Sequence, residues 1–198
     1  MIYAYKSDEY LLAQIKDSNA KALDRLFSKY YHTLCDFSFN FVKNIQLAEE
    51  AVADVFLNIW LKRGKLEVTS SLKAYLFTAV RNQSLNYLKK EKYPFDNIEL
   101  ADQAVLTSPL RADDFLRFEE LKAELDAVLQ KLPEKMRMVF KLSRIDGLTY
   151  KEIADIMAIS VNTVQTHMSR AATHLSQEKI NFITLVLFLI YFIVTSIS

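Results

Sequence analysis

From Gly147 to Leu175 the chain reads GLTYKEIADIMAISVNTVQTHMSRAATHL, and the periodicity of this stretch decides the fold. Thr149 stands three residues before Glu152, the spacing of a capping box, in which the threonine hydroxyl accepts from the Glu152 amide and the glutamate reaches back to the Thr149 amide. A short helix from Tyr150 to Met157 follows, with Ile153, Ala154 and Met157 on its apolar side. The chain then turns through Ala158 and Ile159. Ser160 caps a second helix whose inward row is Val161, Val164, Met168, Ala171 and Leu175. Two short helices joined by a tight turn make a helix-turn-helix. Gly147 is placed to end the helix before it in a left-handed cap. That helix, Glu134 to Ile145, begins after Pro133, a residue suited to a first turn.

Working outward, helical spacing recurs on both sides. Toward the N-terminus of this module it runs through Phe115, Phe118, Leu121, Leu125, Val128 and Leu132. In the first half a helix capped by Asn19 carries Leu23, Leu26, Phe27, Tyr30, Leu34, Phe37 and Phe41, and a second runs from about Leu47 to Leu61. A third, capped by Ser70 or Ser71, carries Leu72, Tyr75, Leu76, Ala79, Val80, Tyr87 and Leu88. A shorter helix from Asp8 to Asp17 completes a four-helix module.

Only two glycines, Gly64 and Gly147, occur in 198 residues, against a usual share of about 7%. Phosphate-cradling loops, dinucleotide fingerprints and tight hairpins need glycine where φ is positive or a ligand lies close. Rossmann, P-loop and most all-β folds are thereby excluded. The expectation is an all-α chain of two small helical modules: residues 1–93, an acidic linker over 94–114, a helix-turn-helix module over 115–179, and an apolar C-terminal helix over 180–198. The single cysteine, Cys35, excludes an internal disulfide and reads as a small core residue. The N-terminal residues lack the basic and apolar regions of a signal peptide, which fits a cytoplasmic protein.

The net charge of +1 hides a partition. Residues 1–93 hold 14 Lys/Arg against 10 Asp/Glu, 94–126 hold 3 against 9, and 127–198 hold 8 against 5. Two basic blocks joined by an acidic one fit two modules for a polyanion. From Lys62 to Lys92 eight basic residues face two acids, the makings of a phosphate-tracking surface. Within it Lys62, Arg63, Lys65, Lys89 and Lys90 supply charge. Asn82 and Asn86, spaced i and i+4, can bond the edge of an unstacked base. On the second helix of the helix-turn-helix, Asn162, Thr163, Gln165, Thr166, Ser169 and Arg170 lie opposite the apolar row, with Ser160 at its start and His167 alongside. Amides suit adenine, and arginine suits guanine or phosphate, in the major groove.

Three stretches, Ala48 to Trp60 (AEEAVADVFLNIW), Tyr75 to Asn82 (YLFTAVRN) and Gly147 to Ala154 (GLTYKEIA), resemble in order the signatures of extracytoplasmic-function (ECF) sigma factors, of the sigma-70 family of bacterial RNA polymerase. The likeness covers about residues 8 to 177. It implies that the Ala48 to Trp60 helix docks on the β′ clamp helices of core polymerase through Glu49, Glu50, Asp54 and Asn58. Glu50 departs from a commoner aspartate, and Ala53 from a common glutamine. The resemblance also implies that the Lys62 to Ser71 loop with Arg81, Asn82 and Asn86 captures a flipped base of the minus-10 element, with Gly64 at the loop's tip. The helix from Ser160 would read the minus-35 element, with Gln165 where a basic residue is frequent. The resemblance further implies a contact to the polymerase β flap, an acidic linker that threads toward the active-site channel, and an anti-sigma factor as a partner.

No cofactor, metal or catalytic role is expected. His32 and Asp36 share a helix face, but no third ligand accompanies them. Residues 180–198 contain no charge and as a helix would span about 28 Å, close to the roughly 30 Å hydrocarbon core of a bilayer. Lys179 before this stretch fits a tail anchor with its C-terminus outward, while the other reading is a helix docking on protein. The competing function is a helix-turn-helix regulator, membrane-tethered or free, that binds duplex DNA without joining polymerase.

Overall fold

The computed structural model describes residues 7–90 and 126–177, all in helices, turns and connecting segments. The linker expected over 94–114 and the apolar tail over 180–198 lie outside the described residues. Among the described residues no helix is long and apolar enough to cross a membrane. The chain divides into two compact units, largely one per half.

The first unit is built from α1 (Asp8–Lys16), α2 (Ala20–Val42), α3 (Ile45–Lys62) and α4 (Leu72–Lys90). Their starts are set by short polar side chains that satisfy otherwise unpaired amides. Ser7 accepts from the Tyr10 amide, Asn19 from Lys21 and Asn44 from Leu47. Ser71, rather than Ser70, caps α4 by accepting from the Ala74 amide at 3.2 Å. The Asn44 cap starts α3 two residues earlier than the apolar spacing predicts.

Helix α2 packs on both α3 and α4, α3 on α4, and α1 on α2 and α4. Leu26, Leu34, Val52, Ile59, Leu76, Phe77 and Val80 are fully buried between them. Edge-to-face rings join α2 to its neighbours, Phe27 with Phe56 at 5.0 Å and Phe37 with Phe77 at 5.0 Å, geometry that adds to simple area burial. One buried polar contact crosses this core: the Ser38 and Ser84 hydroxyls lie 2.7 Å apart, and Ser84 donates to the Val80 carbonyl.

The Lys62–Ser71 connection differs from the open loop expected around Gly64. Residues Arg63–Lys65 form a turn of 3-10 helix, which uses ordinary right-handed backbone angles. Gly64 holds no left-handed φ, and a Cβ placed on it would meet nothing within 4 Å. The conformation does not require a glycine there.

The second unit comprises helical residues 126–130, then α5 (Glu134–Arg144), α6 (Tyr150–Met157) and α7 (Val161–Gln177), with α5 packed on α7. Pro133 stands at the start of α5. After α5 the Ile145 and Asp146 amides both donate to the Lys141 carbonyl, at 2.8 and 3.0 Å, and the Leu148 amide to Leu142. Gly147 then reverses the chain at φ +68. The capping box forms in both directions, the Thr149 amide donating to Glu152 Oε2 at 2.9 Å and the Glu152 amide to Thr149 Oγ1 at 3.3 Å.

The turn between α6 and α7 places Ala158 at φ +53, a conformation an L side chain enters at a cost, and closes with the Ile159 amide on the Ala154 carbonyl. Ile153, Ala154, Val164, Met168, Ala171 and Leu175 are buried as the period predicts. Three positions differ. Val161 is 40% exposed, and Ile156, absent from the expected row, is fully buried while Met157 is half-buried. Val161 opens α7, where no preceding turn covers it.

Candidate nucleic-acid and polymerase interfaces

In the second unit the two-sided cap at Thr149 and the turn at Ala158 fix α7 against α5, leaving its polar row outward. Asn162, Gln165, Thr166, Ser169 and Arg170 are exposed, so two amides, two hydroxyls and a guanidinium form a surface able to meet base edges and phosphates. Three of the expected reading residues are placed otherwise. Ser160 accepts from the Thr163 amide at 3.0 Å, and the two hydroxyls lie 2.8 Å apart, so both build the start of α7. His167 is half-buried, with its Nδ1 buried and bonded to no described residue. It therefore points at least partly inward. Thr166 donates to the Asn162 carbonyl at 2.9 Å, keeping its oxygen as an acceptor.

In the first unit α4 carries Asn82 and Asn86 exposed one turn apart, with Arg81 half-buried beside them. Lys62, Lys65 and Lys89 are exposed, giving the basic surface its charge. Lys90 closes α4. Arg63, read from sequence as a phosphate contact, is tied into its own unit. Its Nε donates to Ser18 Oγ at 2.9 Å, one terminal nitrogen donates to the Trp60 carbonyl at 2.8 Å, and its guanidinium lies 4.4 Å from the Trp60 ring centroid. This clamps the end of α3 to the turn between α1 and α2.

A groove of about 240 Å³ lies between α1 and the segment leading into α4, lined by Glu9, Leu12, Ala13, Lys16, Val68, Ser70, Ser71 and Leu72. None of the eight residues expected at a single-strand site lines it. The Lys62–Ser71 segment contributes to it through its second half, not through the turn that holds Gly64.

The outer face of α3 presents Glu50, Ala53 and Asn58 to solvent. With them stand two apolar side chains that residue-type reasoning missed: Leu57 is 55% exposed and Leu61 66%. Their signal in the sequence is that they fall outside the row of Ala51, Val52, Val55, Phe56 and Ile59, so the first unit's own core does not use them. Such patches mark interaction surfaces more than single scattered residues do.

Of the four expected polymerase contacts on this helix, Glu50 and Asn58 are exposed and the other two turn inward. Glu49 is half-buried beside Tyr31. Burial, then the neighbouring Cys35 and Glu49, push the Tyr31 phenol up to about 12, and burial pushes the Cys35 thiol up to about 11. Asp54 reaches α4, where its Oδ2 accepts from Gln83 Nε2 at 2.8 Å and from the Tyr87 hydroxyl at 2.9 Å. Burial, and then this bond, push the Tyr87 phenol up to about 12.

Among known families, the model of Sigma-70 region 2 matches residues 26–93 and that of Sigma-70, region 4 matches residues 122–175. The chain is 27% identical over 177 residues to the RNA polymerase sigma-H factor of Pseudomonas aeruginosa, covering 84% of this chain and 90% of that protein. It is 24% identical over 173 residues to the ECF RNA polymerase sigma-E factor of Escherichia coli strain K12, covering 83% and 90%. A solved structure of the sigma factor RpoE with the anti-sigma factor NepR from Bartonella quintana shares the fold, at TM-score 0.52 and 23% identity over 81% of this chain and 99% of that one.

Proposed function

We propose, from the premise that the chain belongs to the sigma-70 family in its extracytoplasmic-function branch, that it is a dissociable promoter-specificity subunit of RNA polymerase. The observation that carries the reading is the order of two units on one chain. The first unit has an exposed apolar and acidic α3 face and an asparagine pair on a basic surface, and the second has a capped helix-turn-helix with its polar row outward. A regulator acting without polymerase needs only the second unit.

In this reading the outer face of α3, with Glu50, Leu57, Asn58 and Leu61, docks on the β′ clamp helices of core polymerase. Asn82 and Asn86 face a strand of the minus-10 element while Lys62, Lys65 and Lys89 track its phosphates, which makes binding salt-dependent. The groove under Val68, Ser70 and Ser71 is the receptacle for an unstacked base, whose capture offsets an opening cost of a few kcal/mol. Asn162, Gln165, Thr166, Ser169 and Arg170 read the minus-35 element. Each contact set is modest alone. Held on one polymerase, the second binding event becomes intramolecular, so a promoter with both elements at the right spacing is favoured by effective concentration. Polymerase supplies the chemistry, and the chain needs no catalytic group.

The working boundaries are 1–93 for the first module, 94–114 for the linker and 115–179 for the second. An anti-sigma factor is the expected inhibitor, as for the Bartonella quintana RpoE bound to NepR. The reading places the protein in the cytoplasm. Fractionation with and without residues 180–198 tests their part: recovery of both forms as soluble protein rules out a membrane anchor.

Run-off transcription tests the function. Core polymerase plus this chain is expected to initiate at a cognate promoter while core alone does not. Tight specific duplex binding by the chain alone, without initiation when core is added, would establish the regulator instead.

A further inference from the structure

We infer that Asp54 is a positioning residue, which sets the rotation of α4 so that Asn82 and Asn86 meet the minus-10 strand, rather than a contact to polymerase. The inference rests on the proposed function. Asp54 shares its helix row with exposed Glu50 and Asn58, each four residues away, so it belongs by position to the docking face. Its carboxylate nevertheless leaves that face for α4, where one oxygen takes both the Gln83 amide at 2.8 Å and the Tyr87 hydroxyl at 2.9 Å.

Gln83 and Tyr87 each follow one of the asparagines directly, Asn82 and Asn86. At about 3.6 residues per turn, a grip on the Gln83/Tyr87 row fixes where the Asn82/Asn86 row points. Bonds to an ionised acceptor are shorter and stronger than neutral ones, and two converging on one oxygen resist rotation of α4 in either sense. A further polar tie on α4, between Ser84 and Ser38, is buried and comes from α2. Asp54 is therefore a direct polar link from the helix proposed to hold polymerase to the helix proposed to hold the strand.

The test uses the full chain with core polymerase from its own bacterium, and two readouts. One is the affinity of the chain for core. The other is the affinity of the preformed holoenzyme for a fluorescent single-stranded minus-10 oligonucleotide of the non-template strand. For Asp54→Ala the expected result is core affinity within about twofold of wild type and oligonucleotide affinity down about tenfold. Such a loss corresponds to roughly 1.4 kcal/mol of coupling. Asp54→Asn, which keeps a carbonyl acceptor for the Tyr87 hydroxyl, is expected to recover part of the loss.

Tyr87→Phe removes one bond without touching α3's surface, and is expected to weaken oligonucleotide binding in the same direction. It decides the matter if Asp54→Ala fails to fold by circular dichroism. A tenfold loss of core affinity with oligonucleotide binding intact would make Asp54 a polymerase contact. No change in either readout for Asp54→Ala, or for Tyr87→Phe if that variant decides, would overturn the positioning role. Failure of the wild-type holoenzyme to bind the oligonucleotide would instead sink the proposed function.

Discussion

Gly147→Val isolates one backbone conformation at the entrance to the helix-turn-helix. Gly147 sits at φ +68, a region that costs an L residue roughly 1–2 kcal/mol and makes a β-branched residue an outlier. A Cβ there would meet no atom within 4 Å, so the penalty comes from the backbone and not from a clash. The turn cannot relax without breaking the bonds from Ile145 and Asp146 to the Lys141 carbonyl and from Leu148 to Leu142. The expected loss is therefore about 2 kcal/mol, and at roughly 2–4 °C per kcal/mol for a chain of this size the melting temperature falls by roughly 4–8 °C. Ala158 gives the opposite sign from the same region, at φ +53. Ala158→Gly relieves roughly 1–2 kcal/mol and gives back about 0.4–1 kcal/mol in unfolded-chain entropy, a net gain. Gly64→Val, with ordinary φ and open space around it, is the control and should stay within about 0.5 kcal/mol of wild type. Thermal melting by circular dichroism reads all three. Gly147→Val melting with wild type, or Ala158→Gly melting lower, would refute the backbone argument.

Further outcomes follow from the placement of individual side chains. Glu152→Ala removes the acceptor for the Thr149 amide and should cost about 1 kcal/mol, read by urea unfolding, with weaker minus-35 duplex binding at temperatures near the midpoint. Arg63→Ala should lower stability by about 1–2 kcal/mol through the lost Ser18, Trp60 carbonyl and ring contacts, while leaving the salt dependence of promoter binding unchanged. Lys65→Ala, at an exposed position, should do the reverse, reducing the salt slope by about 1. Leu57→Ala with Leu61→Ala should leave melting unchanged, since both side chains are more than half exposed, and weaken core binding about tenfold or more. Core affinity equal to wild type would remove that face from the docking surface.

Most of the fold was legible because its signals are local. Thr149 and Glu152, Ser160 and Thr163, and Asn19 and Lys21 are capping pairs within three residues of one another. The apolar rows of α2 and α7 report their buried sides through a fixed period. The sites were less legible wherever a side chain's partner is distant in sequence. Asp54 and Arg63 have the right chemistry for polymerase and phosphate, yet their partners Tyr87 and Ser18 lie 33 and 45 residues away. No spacing rule announces such a pair. Gly64 was misleading for another reason: a glycine signals a special conformation only where φ is positive, and the sequence does not give φ. Leu57 and Leu61 were visible as leucines out of phase with the core, but interface residues chosen by polarity pass over them.

The central claim is that one chain must hold polymerase and the minus-10 strand together for the strand to open. It is tested most directly by 2-aminopurine placed in the minus-10 element of a duplex promoter, with fluorescence followed on adding the chain, core polymerase, or both. The account predicts a rise only when both are present, abolished by Asn82→Ala with Asn86→Ala. No rise with both present, while the chain alone binds the same duplex tightly and specifically, would contradict it.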